Sequence, residues 1–140
     1  MKNTCASNPF LLKREKTTLI QYSAYCVSIQ KFLYLRLNYA DLDPSIILYA
    51  IHGKNENVIY FFEENHLINS YTNCLEESLK CHHNNIANYI IQNMMNEKTN
   101  EREIIEYSLR YYNFSLIKDY SLNLQLIFNL ACKYDYVRCE

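Results

Sequence analysis

The sequence predicts an all-α chain: a helix-turn-helix solenoid of about four to five short, degenerate repeats. Three observations predict it. Breakers are scarce, with one glycine (Gly53) and two prolines in 140 residues, against averages of about 7% and about 5%. About half the residues are apolar (49%), enough for a core, and Leu and Ile are plentiful. One apolar motif recurs along the chain at an interval too short for separate domains and suited to stacked helical units.

The motif places an aliphatic residue three positions before a small one, which an apolar residue follows. Its anchors are Ile20, Ile47, Leu75 and Ile105, with small partners Ser23, Ala50, Ser78 and Ser108. The anchors are spaced 27, 28 and 30 residues apart. A fifth, weaker copy has Phe128 and Ala131 and follows after only 23 residues. A small residue at the centre of a helix lets neighbouring backbones approach; a bulky one there costs roughly 1–3 kcal/mol by overpacking. Each copy leads into a polar break and a second apolar stretch, over 29–37, 58–62, 86–91 and 116–120. Paired bulky residues stand at Tyr34-Leu35, Phe61-Phe62 and Tyr89-Ile90, whereas the fourth copy has Asp119-Tyr120 and is poorer.

Helix starts carry their own signals. Thr18 with Gln21 has capping-box spacing, and Asn73 with Glu76 and Asn100 with Glu103 are looser versions. Asp43-Pro44 offers an N-cap and a favoured first helical residue. Ser28, Asn55, His83-Asn84 and Asn113 stand in the breaks, where small polar side chains can accept orphan backbone N–H groups. The units therefore fall near 17–43, 44–71, 72–100, 101–121 and, in part, 122–140. Residues 1–16 are expected to be a lead-in or partial repeat and 96–102 a polar surface loop; a fragment of a longer repeat protein without autonomous function is one alternative reading of the whole.

The stretches Ser45-x-Ile47-x-Tyr49-Ala50-Ile51 and Asn57-Val58-Ile59-x-Phe61-Phe62 resemble the ankyrin repeat, whose unit runs T-P-L-H-x-A-A, a Gly-His turn, then E-I-V-x-x-L-L. Leu48-Tyr49-Ala50-Ile51-His52-Gly53-Lys54 and Ser78-Leu79-Lys80-Cys81-His82-His83-Asn84 carry it further. The chain is also similar to a divergent ankyrin-associated domain of unknown function found in protozoan proteins. The resemblance covers roughly residues 10–137. The family's inter-helix glycine falls at Val27, Lys54, His82 and Tyr112, and its loop glycine at His66. Projecting β-hairpin fingers are therefore not expected, and short irregular connectors are. The resemblance implies protein–protein recognition with no catalysis, cofactor or metal.

In ankyrin-type stacks the first helices expose a concave face. Its positions here are Gln21 and Tyr25, Leu48 and His52, Glu76 and Lys80, Glu106 and Arg110, and Asn129 and Lys133. Members of each pair are four apart and share a helix face. The surface suits an unidentified protein partner, although Glu76–Lys80 and Glu106–Arg110 also read as ordinary exposed i,i+4 ion pairs.

Other classes find little support. The net charge is −1, without the basic excess nucleic acid binding needs; the Lys13, Arg14 and Lys16 cluster is interrupted by Glu15. A single glycine cannot build a phosphate-cradling loop, so no small-molecule ligand is expected. No apolar run approaches the roughly 18 residues of a membrane span. The run Pro9-Phe10-Leu11-Leu12 is too short for a signal-peptide core, so a cytoplasmic or nuclear setting with reduced thiols is expected for Cys5, Cys26, Cys74, Cys81, Cys132 and Cys139. Cys74, Cys81, His82 and His83 lack zinc-site spacing and read as an inter-helix turn. Adjacency of Cys81 and His82 does not supply the converging pocket that thiol catalysis requires. A small thiol- or metal-dependent enzyme is the weaker alternative. The carboxylates of Glu63-Glu64, Glu76-Glu77 and Asp41/Asp43 read as surface charge or caps. Most tyrosines, including Tyr22, Tyr49, Tyr89 and Tyr107, are expected to line the core with hydroxyls at its rim.

Overall fold

A computed structural model describes residues 17–38, 41–95, 101–120 and 124–134. All regular structure among the described residues is helical. The expected lead-in over 1–16, the Asn100 cap and residues 96–100 of the expected loop lie outside them. The chain divides into two compact units, one ending at Asn69 and the other beginning at Ser70.

The first unit contains α1 (Leu19–Tyr25), α2 (Ile29–Leu37), α3 (Ile46–Gly53) and α4 (Glu56–Glu64). The Thr18 capping box forms in both directions: the Thr18 hydroxyl accepts from the Gln21 N–H, and the Gln21 side chain accepts from the Thr18 N–H. α1 packs on α2 and on α3, and α3 on α4. Ile20, Ala24, Phe32, Ile46, Ile51, Val58 and Phe62 are buried. Phe32 stands edge-on to Phe61 at 5.6 Å and tilted against Phe62 at 6.3 Å, within the range of favourable ring pairs. Arg36 lies over the Phe61 ring at 4.6 Å. The start of α3 differs from expectation. Asp43 accepts from the backbone and hydroxyl of Ser45 in a preceding turn, and the helix proper begins at Ile46.

The second unit contains α5 (Tyr71–Lys80), α6 (Asn84–Tyr89) running into a π-helical turn (Ile90–Met94), α7 (Glu101–Arg110), a 3₁₀ turn (Ile117–Tyr120) and α8 (Leu124–Lys133). α5 packs on α6, the π-helical turn and α7, while α7 packs on the 3₁₀ turn and α8. Ile105, Leu109 and Leu130 form a core against which Ile117, Leu126 and Ile127 lie. Here too there are corrections. Ser70, not Asn73, caps α5, because its hydroxyl accepts the Asn73 N–H at 3.2 Å and starts the helix earlier. Glu101 and Arg102 open α7 and are not loop. The stretch 116–120 closes into one 3₁₀ turn, as its shortness and the polar Asp119 at a bulky apolar position allow.

The described non-glycine residues with positive φ are Val27, Lys54, His66, His82 and Tyr112, with φ of 53–59°. The turns share one hydrogen-bond pattern. The residue after the left-handed one donates back to the carbonyl five before it: Ser28 to Ser23, Asn55 to Ala50, Leu67 to Phe62, His83 to Ser78 and Asn113 to Ser108, at 2.8–3.3 Å. At Lys54, His66, His82 and Tyr112 the left-handed residue also donates to the carbonyl three before it. This is the Schellman closure that satisfies orphan carbonyls at a helix end. The four small motif residues Ser23, Ala50, Ser78 and Ser108 are thus the acceptors that close the four helix pairs, and all are buried.

A second bond recurs between pairs. Asn55 is fully buried, and its amide donates to the Ala24 carbonyl at 2.9 Å while its oxygen accepts from the Val58 N–H. Asn113, in the second unit, donates to the Leu79 carbonyl at 3.0 Å. Ala24 and Leu79 each directly follow the small motif residue of the preceding pair.

Gly53 is not left-handed. It is required for close approach: a Cβ there would press on the Tyr25 carbonyl, 2.7 Å from its carbon and 2.9 Å from its Cα. Neighbouring substitutions should therefore have opposite signs. Gly53→Ala should destabilise by about 2–3 kcal/mol through forced separation of α1 and α3. Lys54→Gly should stabilise by about 0.5–1 kcal/mol, the relief of left-handed strain less the entropy glycine loses on folding. Urea unfolding of both variants checks this; a destabilising Lys54→Gly would contradict the strain argument. Likewise, Ser78→Phe overfills a site with 0% exposure and should cost about 3 kcal/mol or more. Lys80→Ala, on the exposed face, should stay within about 0.5 kcal/mol. The reverse order in urea midpoints would mean the helix register is wrong.

Candidate functional site

The candidate face is built two residues before and two after each small motif residue, which puts both on the same side of a first helix. In the first unit these positions lie where α1 meets α3. Gln21 is buried and donates to the Ser45 hydroxyl at 3.1 Å. The rings of Tyr25 and His52 lie 5.8 Å apart, tilted by 30°. Leu48 and His52 are half-buried. Gln21 therefore ties helices together, while Tyr25, Leu48 and His52 present a mixed aromatic and apolar strip.

In the second unit the corresponding side chains form a row across three helices. Arg110 of α7 reaches Glu76 of α5 at 3.2 Å and Glu106 of its own helix at 3.6 Å. Glu106 also meets Lys133 of α8 at 2.8 Å. The order Glu76–Arg110–Glu106–Lys133 alternates in sign and sums to zero. The Tyr111 hydroxyl donates to Glu76 at 2.6 Å, and that of Tyr134 donates to Glu106 at 2.8 Å. Arg110 lies over the Tyr107 ring at 5.5 Å and donates to the Tyr134 hydroxyl at 3.4 Å. Glu106 is the hub, its side chain only 19% exposed. Hydrogen bonds from Lys133 and Tyr134 hold its carboxyl below the usual carboxylate range. The Tyr107 and Tyr111 hydroxyls are pushed up, chiefly by burial and then by Glu76.

Two expected positions stand elsewhere. Lys80 pairs with Glu77 at 3.3 Å, not with Glu76, which is drawn to Arg110 and Tyr111. Asn129 accepts from Gln125 on the exposed side of α8. Glu77, read from sequence as surface charge, is buried at 9% exposure. Tyr111 and Tyr134 were not anticipated. Their signal was present, since each stands three residues after a small motif residue, in the column also occupied by Cys26, Gly53 and Cys81.

The thiols differ from those of nucleophilic cysteines, whose pKa is lowered. Burial pushes Cys74 up to about 12. Burial and the neighbouring Glu77 carboxylate push Cys81 up to about 12, and its thiol donates to Glu77 at 3.6 Å. Cys26, Cys74, Cys81 and Cys132 form no disulfide; Cys5 and Cys139 lie outside the described residues. His82 is the exposed left-handed residue of the turn after α5. No helix among the described residues is long and apolar enough to cross a membrane.

Comparison with protein-family models, curated proteins and solved structures returns no match.

Because the folded-state Glu106 pKa is depressed, its stabilising contribution is present above the unfolded carboxylate pKa and is lost as pH falls through the folded value. Glu106→Gln should therefore cost about 0.5–1 kcal/mol at pH 7, with the gap to wild type closing below pH of about 4. Urea unfolding at pH 7, 5 and 3.5 reads this out. An unchanged gap across that series would remove Glu106 from the hub.

Proposed function

We propose that this chain is a non-catalytic protein-interaction scaffold built from ankyrin-type helix pairs stacked in a solenoid. The observation that carries the reading is the recurrence of one left-handed turn at Val27, Lys54, His82 and Tyr112. Each lies four residues after a small, buried motif residue, where the ankyrin unit has its inter-helix glycine. The Asn55–Ala24 and Asn113–Leu79 bonds add support, because they join equivalent atoms of successive pairs. In such an array the first helices offer a continuous face made of side chains from several units.

The polar residues of the second unit and the strip of the first suit different roles. Glu76, Arg110, Glu106 and Lys133 satisfy one another, and a partner would have to compete with those pairs. Tyr25, Leu48 and His52 form a half-buried strip of mixed aromatic and apolar surface. Interface energy concentrates at such anchors. The strip is thus the recognition surface, and the ionic row holds neighbouring helices in register. Thiols held protonated near Cys74 and Cys81 accord with a scaffold more than with a thiol enzyme.

Crosslinking mass spectrometry on native lysate should give a partner list. Purified binding to the leading partner should weaken by about tenfold or more in the Leu48→Ala/His52→Ala double variant. Equal affinity for a double variant with wild-type circular dichroism would exclude this face.

A further inference from the structure

Two junctions show what a helix pair needs when another is stacked on it: α3 against α1, and α7 against α5. The anchors Ile20, Ile47 and Ile105 set the equivalent positions. One residue before the anchor, the covered helices have Ile46 and Ile104, at 0% and 1% exposure. In the turn they have Asn55 and Asn113, whose amides donate to a carbonyl of the preceding helix. Three residues later they have Val58 and Leu116, both buried. The first pair keeps only the first of these features. Leu19 stands at the Ile46 position and is 74% exposed. Ser28 takes the place of the asparagine, and Lys31 that of the buried aliphatic residue.

This face of α1 and α2 is an open groove of about 660 Å³, lined by the apolar and aromatic Leu19, Tyr22, Tyr34 and Leu35 and by the polar Ser28 and Lys31. Ser28 and Lys31 are three residues apart and share one side of α2. The Ser28 hydroxyl makes no cap bond, and Lys31 belongs to none of the ion pairs among the described residues. Lys31 and Arg36 are the only charged residues of segment 17–38, whereas residues 41–69 carry five carboxylates against one lysine. An apolar cover alone would bury the Lys31 ammonium without a partner, which desolvation opposes. We infer that the groove is a second docking surface and that its occupant is an acidic, apolar peptide segment of another protein. A bulky apolar side chain seats among Leu19, Tyr22, Tyr34 and Leu35, and a neighbouring carboxylate accepts from Lys31 and Ser28. The buried anchor supplies affinity, and the charge pair fixes orientation and rejects neutral or basic segments. The inference rests on the equivalence of helix pairs that supports the scaffold reading, but not on the Leu48/His52 strip.

The test selects a displayed library of random peptides on the full chain, after subtraction on the Leu19→Ser/Tyr34→Ser variant, which changes two exposed residues without altering charge. The survivors should combine Asp or Glu with Leu, Ile or Phe. A synthetic copy of the leading peptide should bind Lys31→Glu about tenfold or more weakly by fluorescence anisotropy, and a version with lysine for its carboxylate should prefer Lys31→Glu to wild type. No survivors, survivors without acidic residues, or equal affinity for wild type and a Lys31→Glu chain of unchanged circular dichroism would each overturn the inference. Occupancy is read with p-benzoylphenylalanine in place of Tyr34, in a mixture of the peptide and 15N-labelled wild-type chain. Crosslinks to the peptide are expected. Crosslinks to the labelled copy would assign the groove to a second molecule of this chain, and crosslinks within one chain that the peptide does not displace would assign it to the chain itself; either result overturns the proposal. Peptide affinity should be unchanged in Leu48→Ala/His52→Ala, so failure here is distinguishable from failure of that face.

Discussion

The hydrogen bond that closes each helix pair ties two requirements together. Its acceptor is the carbonyl of Ser23, Ala50, Ser78 or Ser108, and its donor is the N–H five residues later. Geometry then forces the intervening residue into the left-handed region, which reverses the chain and lays the second helix back on the first. The acceptor residue must also be small, because it sits at the centre of the first helix, where neighbours come closest. Size matters more than polarity there. Ser23 and Ser78 spend their hydroxyls on the Ile20 and Leu75 carbonyls, Ala50 has none, and the buried Ser108 hydroxyl has no partner among the described residues.

Close approach is felt most strongly one step before the left-handed residue. In the first unit it is met by removing the side chain: Gly53 allows α3 to lie against the Tyr25 carbonyl. The second unit meets it in the opposite way at Tyr111, whose hydroxyl donates to Glu76 of the neighbouring helix. The same column thus packs tightly in one place and becomes polar and directional in another. Tyr134 repeats the second solution toward Glu106, and the ionic row grows from it. What distinguishes the polar face of the second unit from the aromatic strip of the first is therefore decided by single residues in a shared register.

Much of this was legible in the sequence because it depends on short-range periodicity. The small column, the helix pairs, the Thr18 box and the Asn55 cap all follow from spacings of three to five residues, which local rules address directly. The misreadings share a different cause. Glu76 was paired with Lys80 because an i,i+4 rule sees one helix only, whereas Arg110 and Tyr111 reach it from another. Glu77 looked like surface charge because nothing local announces its burial. Asn73 was preferred over Ser70 because both are capping residues three apart, and the choice turned on where the chain enters the helix. The second stretch of the fourth copy kept its place but tightened to a 3₁₀ turn, as the loss of its bulky apolar pair had foreshadowed.

The energetics of this turn show why it can be built without glycine. A left-handed residue with a side chain costs about 1–2 kcal/mol, so five of them cost about 5–10 kcal/mol, comparable to the whole stability of a small domain. Each is offset locally. The turns supply nine closing backbone hydrogen bonds among the described residues, each contributing about 1 kcal/mol, so that cost and gain nearly cancel. Buried Asn55 and Asn113 then fix two of the turns to the preceding helix. A turn held in this way does not require glycine; the four turns at Val27, Lys54, His82 and Tyr112 have a small residue four positions earlier and a polar one immediately after, whereas the turn at His66 has Phe62 and Leu67 there. The small and polar pair, not a glycine, is the sequence signature of the unit in this chain.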